Sequence, residues 1–429
     1  MFGRYVISVV IICMSALRAA AQPPPADVPP PPAAPTDAPP TTAPPVQPAA
    51  PPAAPPAAPT IEIYGYAALN AFASTRTFSA RDSQAQVAAS AGQVGGAFLM
   101  SSRNTRLGAR FAFHDDNIVG ATLSATLEID FRAGYASGAA ATAWPNAIPR
   151  LRLANGVATW ATAAGPLKVT AGQDYSPFAP LDPTTLGFTV QNTGNLWRRA
   201  AQLKLSYAPV LGPIEFAMAA AVLSPSDGAS AAPYSVDFGF GSRARRPALE
   251  GRFGATLKPT SGVVVSAGVS GAAGRRSAPS PGEESQREAS RLDSSDNLSI
   301  ALDFDIRIPY VQVKGEAYSG TALEDEFNGI LANATGVHST GYWVQALIKP
   351  ADVVCVTAGL GVARARSSDL TSNNLTTSRT RNRELTGGII VALSKRWKAA
   401  FEASDTRSTY YDGDSQRGLL MVVSNHLAF

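Results

Sequence analysis

The chain has 429 residues and a formal charge of +4, and only 16% of its residues are charged, well under the quarter usual in soluble proteins. Without Arg4 and Arg18, both inside an N-terminal sorting segment, the charge falls to +2, which gives no reason to expect a nucleic-acid partner. Beyond that segment no run reaches the ~18 continuous apolar residues of a membrane helix, so a helical membrane protein is excluded.

Residues 1–21 read as a signal peptide. Arg4 supplies the positive start, Tyr5 to Leu17 an apolar run, and Ala19-Ala20-Ala21 a cleavage site. Residues 22–60 hold 18 prolines in 39 residues, which cannot form a hydrogen-bonded core. A disordered, semi-rigid periplasmic arm of polyproline II character is expected, serving as a spacer or reaching peptidoglycan. Only Cys355 survives processing, so no internal disulfide is expected.

Residues 61–429 alternate. From Val119 to Phe131, apolar residues at odd positions strictly oppose Gly120, Thr122, Ser124, Thr126, Glu128 and Asp130. A period of two marks a strand with one apolar face, and thirteen residues exceed the roughly 9–11 that cross a bilayer at a tilt. Sixteen candidates follow this pattern, near 61–75, 103–114, 117–132, 149–162, 165–174, 198–208, 213–223, 247–258, 262–272, 297–308, 310–320, 339–349, 353–364, 383–394, 397–408 and 418–429. Fourteen or eighteen strands also fit. Gaps rich in Pro, Gly, Asn and Asp alternate with long polar ones, including 133–148, 175–197 and 409–417. Short turns on one side and long loops on the other characterise an all-β, antiparallel up-and-down transmembrane barrel. A soluble sandwich would have shorter strands and its apolar face inside.

A one-residue slip would put Lys204 or Arg307 into lipid, costing about 2–4 kcal/mol near the midplane. The apolar set therefore faces out, with Arg199 on the same face as Ala201 and Leu203. Tyr64, Phe131, Trp160, Tyr207, Tyr310, Trp343 and Trp397 sit near strand ends and suggest interfacial girdles. Facing inward would be Arg106, Arg110, Arg132, Arg152, Lys168, Arg198, Lys204, Arg252, Arg307 and Lys314, with Glu128, Asp130, Asp174, Glu215, Glu250, Asp303, Asp305, Glu316 and Glu402. So many charges imply water inside and a field that filters solutes by charge. The third long gap carries stiff prolines, Phe178, Phe188 and Asp182. It is expected to fold inward, with Asp182 opposite Arg106, Arg110 or Arg132.

No catalytic or metal-binding constellation stands out, and neither cofactor nor metal is expected. His114, His338 and His426 lack paired metal spacing. Ser424 and His426 share one face of the last strand, the only faint hint of a hydrolase.

Ala171-Gly172-Gln173-Asp174-Tyr175-Ser176-Pro177-Phe178, then Gly194-Asn195-Leu196-Trp197-Arg198-Arg199, resemble the DcaP-like branch of bacterial porins. So do Ile63-Tyr64-Gly65-Tyr66, the run from Ser102 to Gly108, and Leu127-Glu128-Ile129-Asp130-Phe131. The resemblance is strongest over 61–210. It implies a sixteen-stranded homotrimer with an arginine-lined constriction favouring small anions such as dicarboxylates, with Arg106 and Arg198 the best-matched positions. The Pro/Ala-rich arm departs from the family's helical extension, and the acids of the second half weigh against a strong anion preference.

The expectation is a passive outer-membrane channel embedded in lipid and lipopolysaccharide. The C-terminal Phe429 looks like a signal read by the barrel assembly machinery. The alternative is a structural anchor tethered to the cell wall through 22–60.

Overall fold

The structure, a computed structural model, describes residues 59–78, 86–114, 120–132, 147–187, 189, 193–225, 246–259, 262–278, 293–323, 330, 336–372 and 378–429. The expected signal peptide, almost all of the arm, Phe188 and most of gap 133–148 lie outside them.

Among the described residues one closed antiparallel sheet dominates. Its first half comprises β1 (Thr60–Ser74), β2 (Ala97–Ser101), β3 (Arg106–His114), β4 (Thr122–Asp130), β5 (Arg150–Thr162), β6 (Gly165–Tyr175), β7 (Arg199–Tyr207), β8 (Val210–Leu211) and β9 (Ile214–Leu223). The second comprises β10 (Ala248–Leu257), β11 (Val264–Ala278), β12 (Asp293–Ile308), β13 (Val311–Thr321), β14 (His338–Ala351), β15 (Val354–Ala365), β16 (Arg379–Ala392), β17 (Trp397–Tyr410) and β18 (Ser415–Ala428). Both β2 and β3 pair with β1, above and below a break that Thr105 bridges by accepting the Ala68 N–H at 3.1 Å. Both β7 and β8 pair with β9. Eighteen segments thus make sixteen staves.

Closure comes from β1 against β18, in register from Tyr66 opposite Ala428 to Ser74 opposite Leu420. The Phe429 N–H then donates to the Gly65 carbonyl at 3.2 Å. Among the described residues the sheet leaves no edge open, which a sheet in hydrocarbon requires.

Alternation places the two faces as a bilayer demands. On β12, Leu298, Ile300 and Leu302 are 75%, 53% and 56% exposed, whereas Asp303 and Asp305 are 6% exposed. Leu203, Leu205, Phe253, Leu385, Ile389, Phe401 and Val423 continue the apolar exterior around the cylinder.

Several boundaries differ from expectation. In the third stave, expected over 117–132, the strand runs from Thr122 to Asp130 and follows Gly120, which takes a left-handed turn at φ +72°; positions 117–119 lie outside the described residues. The β11–β12 ladder extends to Ala278 opposite Asp293, passing through Arg275 opposite Asp296. Polar pairs at this long-loop end of the ladder carry no apolar alternation and so escaped the pattern. The last gap is a tight turn over 411–414, closed by the Tyr410 N–H to the Asp414 carbonyl at 2.8 Å with Gly413 at φ +88°.

Two expected girdle aromatics are interior. Tyr64 donates its hydroxyl to Glu128 at 2.9 Å, and Trp343, 1% exposed, donates its indole N–H to Glu316 at 3.0 Å. Tyr64 shares parity with Glu62, and Trp343 with Gln345, so both follow their polar neighbours inward.

Candidate functional site: a lumen narrowed by an anchored loop

The described residues of the segment between β6 and β7, 176–187, 189 and 193–198, lie against the inner wall of the second half of the barrel. Phe178 and Leu196, each 1% exposed, pack with Ala272, Ala301, Tyr318 and Leu323. Burying two such side chains contributes roughly 1.5–3 kcal/mol each, enough to give the segment a small core of its own.

Wall side chains then take up the segment's polar backbone. The Ala179 N–H donates to Ser270 at 3.2 Å, and the Leu181 N–H to Glu316 Oε1 at 2.7 Å. Gln345 both accepts from and donates to the Thr184 backbone, at 2.7 and 2.8 Å. Glu402 accepts the N–H groups of Leu186 at 3.0 Å and Gly187 at 2.5 Å, and the Thr189 hydroxyl at 3.1 Å. On the return, Asn382 donates to Thr193 at 2.8 Å and Asn195 to Glu316 at 3.3 Å. A buried loop must place its backbone groups in this way.

Close approach needs missing side chains. Gly194 sits at φ +77°, where a Cβ would fall 2.1 Å from the Tyr342 carbonyl oxygen, and one at Gly361 would fall 2.0 Å from that of Thr193.

At the loop's root Arg198 forms a buried pair with Glu250 at 3.2 Å, and Ser176 hydrogen-bonds the same carboxylate. With its side chain only 5% exposed, Arg198 braces the loop and does not line the pore, contrary to expectation.

The opposite wall is basic. Arg152 bridges Glu128 at 2.6 Å and Asp130 at 2.9 Å and donates to the Tyr175 hydroxyl at 2.8 Å. Arg150 makes a two-pronged contact with Asp130 at 3.0 and 2.6 Å, and Arg106 stands 3.5 Å from Glu128. Both acids are buried behind the guanidinium groups, while the Arg106 and Arg150 side chains keep 28% and 30% of their surface open. Tyr66 lies under Arg106 at 5.4 Å and stacks on His426 at 4.6 Å, which gives that histidine a packing role.

Asp182, at the exposed edge of the loop, feels the charges of Lys314, Arg152, Arg199 and Arg106, and its carbonyl accepts from Lys314 Nζ at 2.6 Å. Enclosure by the barrel raises the Asp182 carboxyl above the ordinary range, and those cations oppose the shift. Of the three arginines expected opposite Asp182, Arg106 acts on it. Arg110 lies nearer the short-turn mouth, 3.9 Å over the Tyr64 ring and 3.2 Å from Glu62. The Arg132 N–H donates to Asp130 at 3.1 Å. Arg199, expected to face out, joins the cluster, its guanidinium over Tyr175 and Trp197 at 5.6 and 5.1 Å.

Six of the remaining expected charges form local pairs. Lys204 meets Asp174 at 2.7 Å, Arg252 meets Asp303 at 2.5 Å, and Arg307 meets Asp305 at 2.5 Å. Sequence reasoning missed Arg150, Tyr175, Arg199 and Gln345. Glu250, Glu316 and Glu402, expected only to wet the lumen, anchor the loop.

Sixteen antiparallel staves closed on themselves, with a lumen of paired charges, define the fold of the outer-membrane porins. The chain is similar to the outer-membrane channel DcaP of Acinetobacter baumannii, at 15% identity over 86% of this chain and 97% of that one, with a TM-score of 0.63. The anion-selective porin from Comamonas acidovorans follows at 13% identity, covering 87% of this chain and 100% of that one, with a TM-score of 0.53. OmpF of Salmonella typhi matches at 11% identity over 86% and 97%, also at 0.53. No family model and no curated protein sequence matches the chain. At these identities the likeness is one of fold.

Proposed function

We propose that this protein is a water-filled outer-membrane channel through which small hydrophilic solutes diffuse, with a slight preference for anions such as dicarboxylates. One observation carries the reading: the docked loop covers the acids of the second half, while the facing wall leaves arginines open. Glu250, Glu316 and Glu402 are 5%, 4% and 1% exposed. An anion in the narrowed lumen therefore meets Arg106 and Arg150, whose forked donors suit carboxylates. DcaP is an outer-membrane channel and the Comamonas porin is anion-selective, which supports this reading.

A homotrimer is part of the proposal, since one structural neighbour, OmpT of Vibrio cholerae, is described in a trimer form. So is assembly through Phe429, whose ring approaches Gly65 in the closing seam. Liposome swelling tests the reading. Proteoliposomes should admit succinate faster than a neutral solute of equal size, and exclusion of both would refute it.

A further inference from the structure

Near the long-loop end of β15 to β18, the outward face turns from apolar to basic. Arg383 on β16 is the direct cross-strand partner of Arg407 on β17, which is in turn opposite Arg417 on β18. Arg381, one outward position higher on β16, is opposite Arg364 on β15. All five side chains are exposed. Immediately toward the short-turn side, the same face carries Leu385, Ile389, Phe401, Met421 and Val423. The arginines thus stand at the level where hydrocarbon gives way to headgroups.

Like charges directly opposite one another destabilise a sheet, and neighbouring strands are only about 4.8 Å apart. Three arginines in one row therefore call for a counter-charge. Within the patch the structure supplies one acid: Asp405, held by Arg417 through two contacts of 2.7 and 2.6 Å. Arg407 donates to the Ser415 hydroxyl at 2.9 Å. Among the described residues, Arg364, Arg381 and Arg383 have neither an acidic nor a hydrogen-bonding partner. A depression of about 330 Å³ opens between Arg383, Leu385, Asp405, Arg407 and Arg417.

We propose that this patch binds the phosphate groups of an outer-leaflet phosphoglycolipid of the lipid A type. Its acyl chains would lie along Leu385, Ile389 and Phe401, and its phosphates would bridge Arg381, Arg383 and Arg407. Guanidinium forks bind phosphate in two-pronged fashion, and clustered basic residues at a membrane surface recognise anionic lipid. A second copy of the chain fits less well. Among the described residues the outward strand acids are Asp296 and Asp405, each already paired with an arginine, Arg246 and Arg417. The inference rests on the outer-membrane reading above.

The test is native mass spectrometry of the full-length protein in detergent, with bis-phosphorylated lipid A and its dephosphorylated counterpart as probes. The unaltered protein should retain the phosphorylated lipid at least ten-fold better, and a variant with Arg381→Gln, Arg383→Gln and Arg407→Gln should lose that advantage. Equal retention of the two lipids, or an unchanged advantage in the variant, overturns the proposal. So does efficient cross-linking of Arg407→Cys between copies, which would make the patch a subunit contact. The two-lipid comparison on the unaltered protein stands even if the triple variant does not fold. Conductance read on the same preparations keeps the outcomes separable, since none of the three positions faces the lumen.

Discussion

Glu402, on β17, accepts the backbone N–H of Gly187 at 2.5 Å, so a carboxylate of the wall holds a loop that leaves the sheet ten staves earlier in the chain. A hydrogen bond to a charged group is worth about 1.5–3 kcal/mol, and Glu402 also holds Leu186 and Thr189. Glu402→Ala should undock this part of the loop, costing on the order of 3 kcal/mol of docking free energy. Single-channel recording should show higher conductance and a noisier open state. Unchanged traces would mean that other contacts hold the loop.

Arg152 is shared by Glu128 and Asp130, both buried. Removing one partner of a buried ion pair costs roughly 3–5 kcal/mol. Arg152→Ala should therefore lower the unfolding temperature and expose two carboxylates to the lumen, moving the reversal potential toward cation preference. Arg106→Ala, whose contact is longer and more open, should reduce anion preference with little loss of stability.

Asp182 gives the channel a pH dependence. Its carboxyl lies above the ordinary range, so it gains a proton earlier as the solution is acidified. Protonation removes a negative charge facing Arg106, Arg152 and Arg199, so anion preference should rise as the solution is acidified. In Asp182→Asn that part of the pH dependence should vanish, with selectivity fixed near the acidic limit of the unaltered protein.

Gly194→Ala should be poorly tolerated, because the new methyl would strike the Tyr342 carbonyl in a left-handed backbone. The strain alone is about 1 kcal/mol, and relief requires the loop to lift from β14 and β15. Faster protease cleavage near residue 194 in folded barrels would report it.

The staves were legible because lipid enforces period-two alternation. Leu203 against Lys204 and Leu302 against Asp303 assign each face without any contact information. The loop's docking was not legible. Backbone N–H groups of Leu181, Leu186 and Gly187 seek carboxylates 135 to 216 positions away, and no local pattern marks a donor that every residue has. Proximity to a strand end misplaced Tyr64 and Trp343, where parity with Glu62 and Gln345 would have placed them correctly. Arg199 was misjudged for the opposite reason. It opens β7 where the chain leaves the loop, and strand parity does not govern the cation that stacks on Tyr175 and Trp197.

Planar-bilayer recording under a salt gradient tests the central claim most directly. The account predicts steady, ohmic conductance and a reversal potential whose sign indicates modest anion preference. A correctly folded, heat-modifiable barrel that passes no current would contradict it.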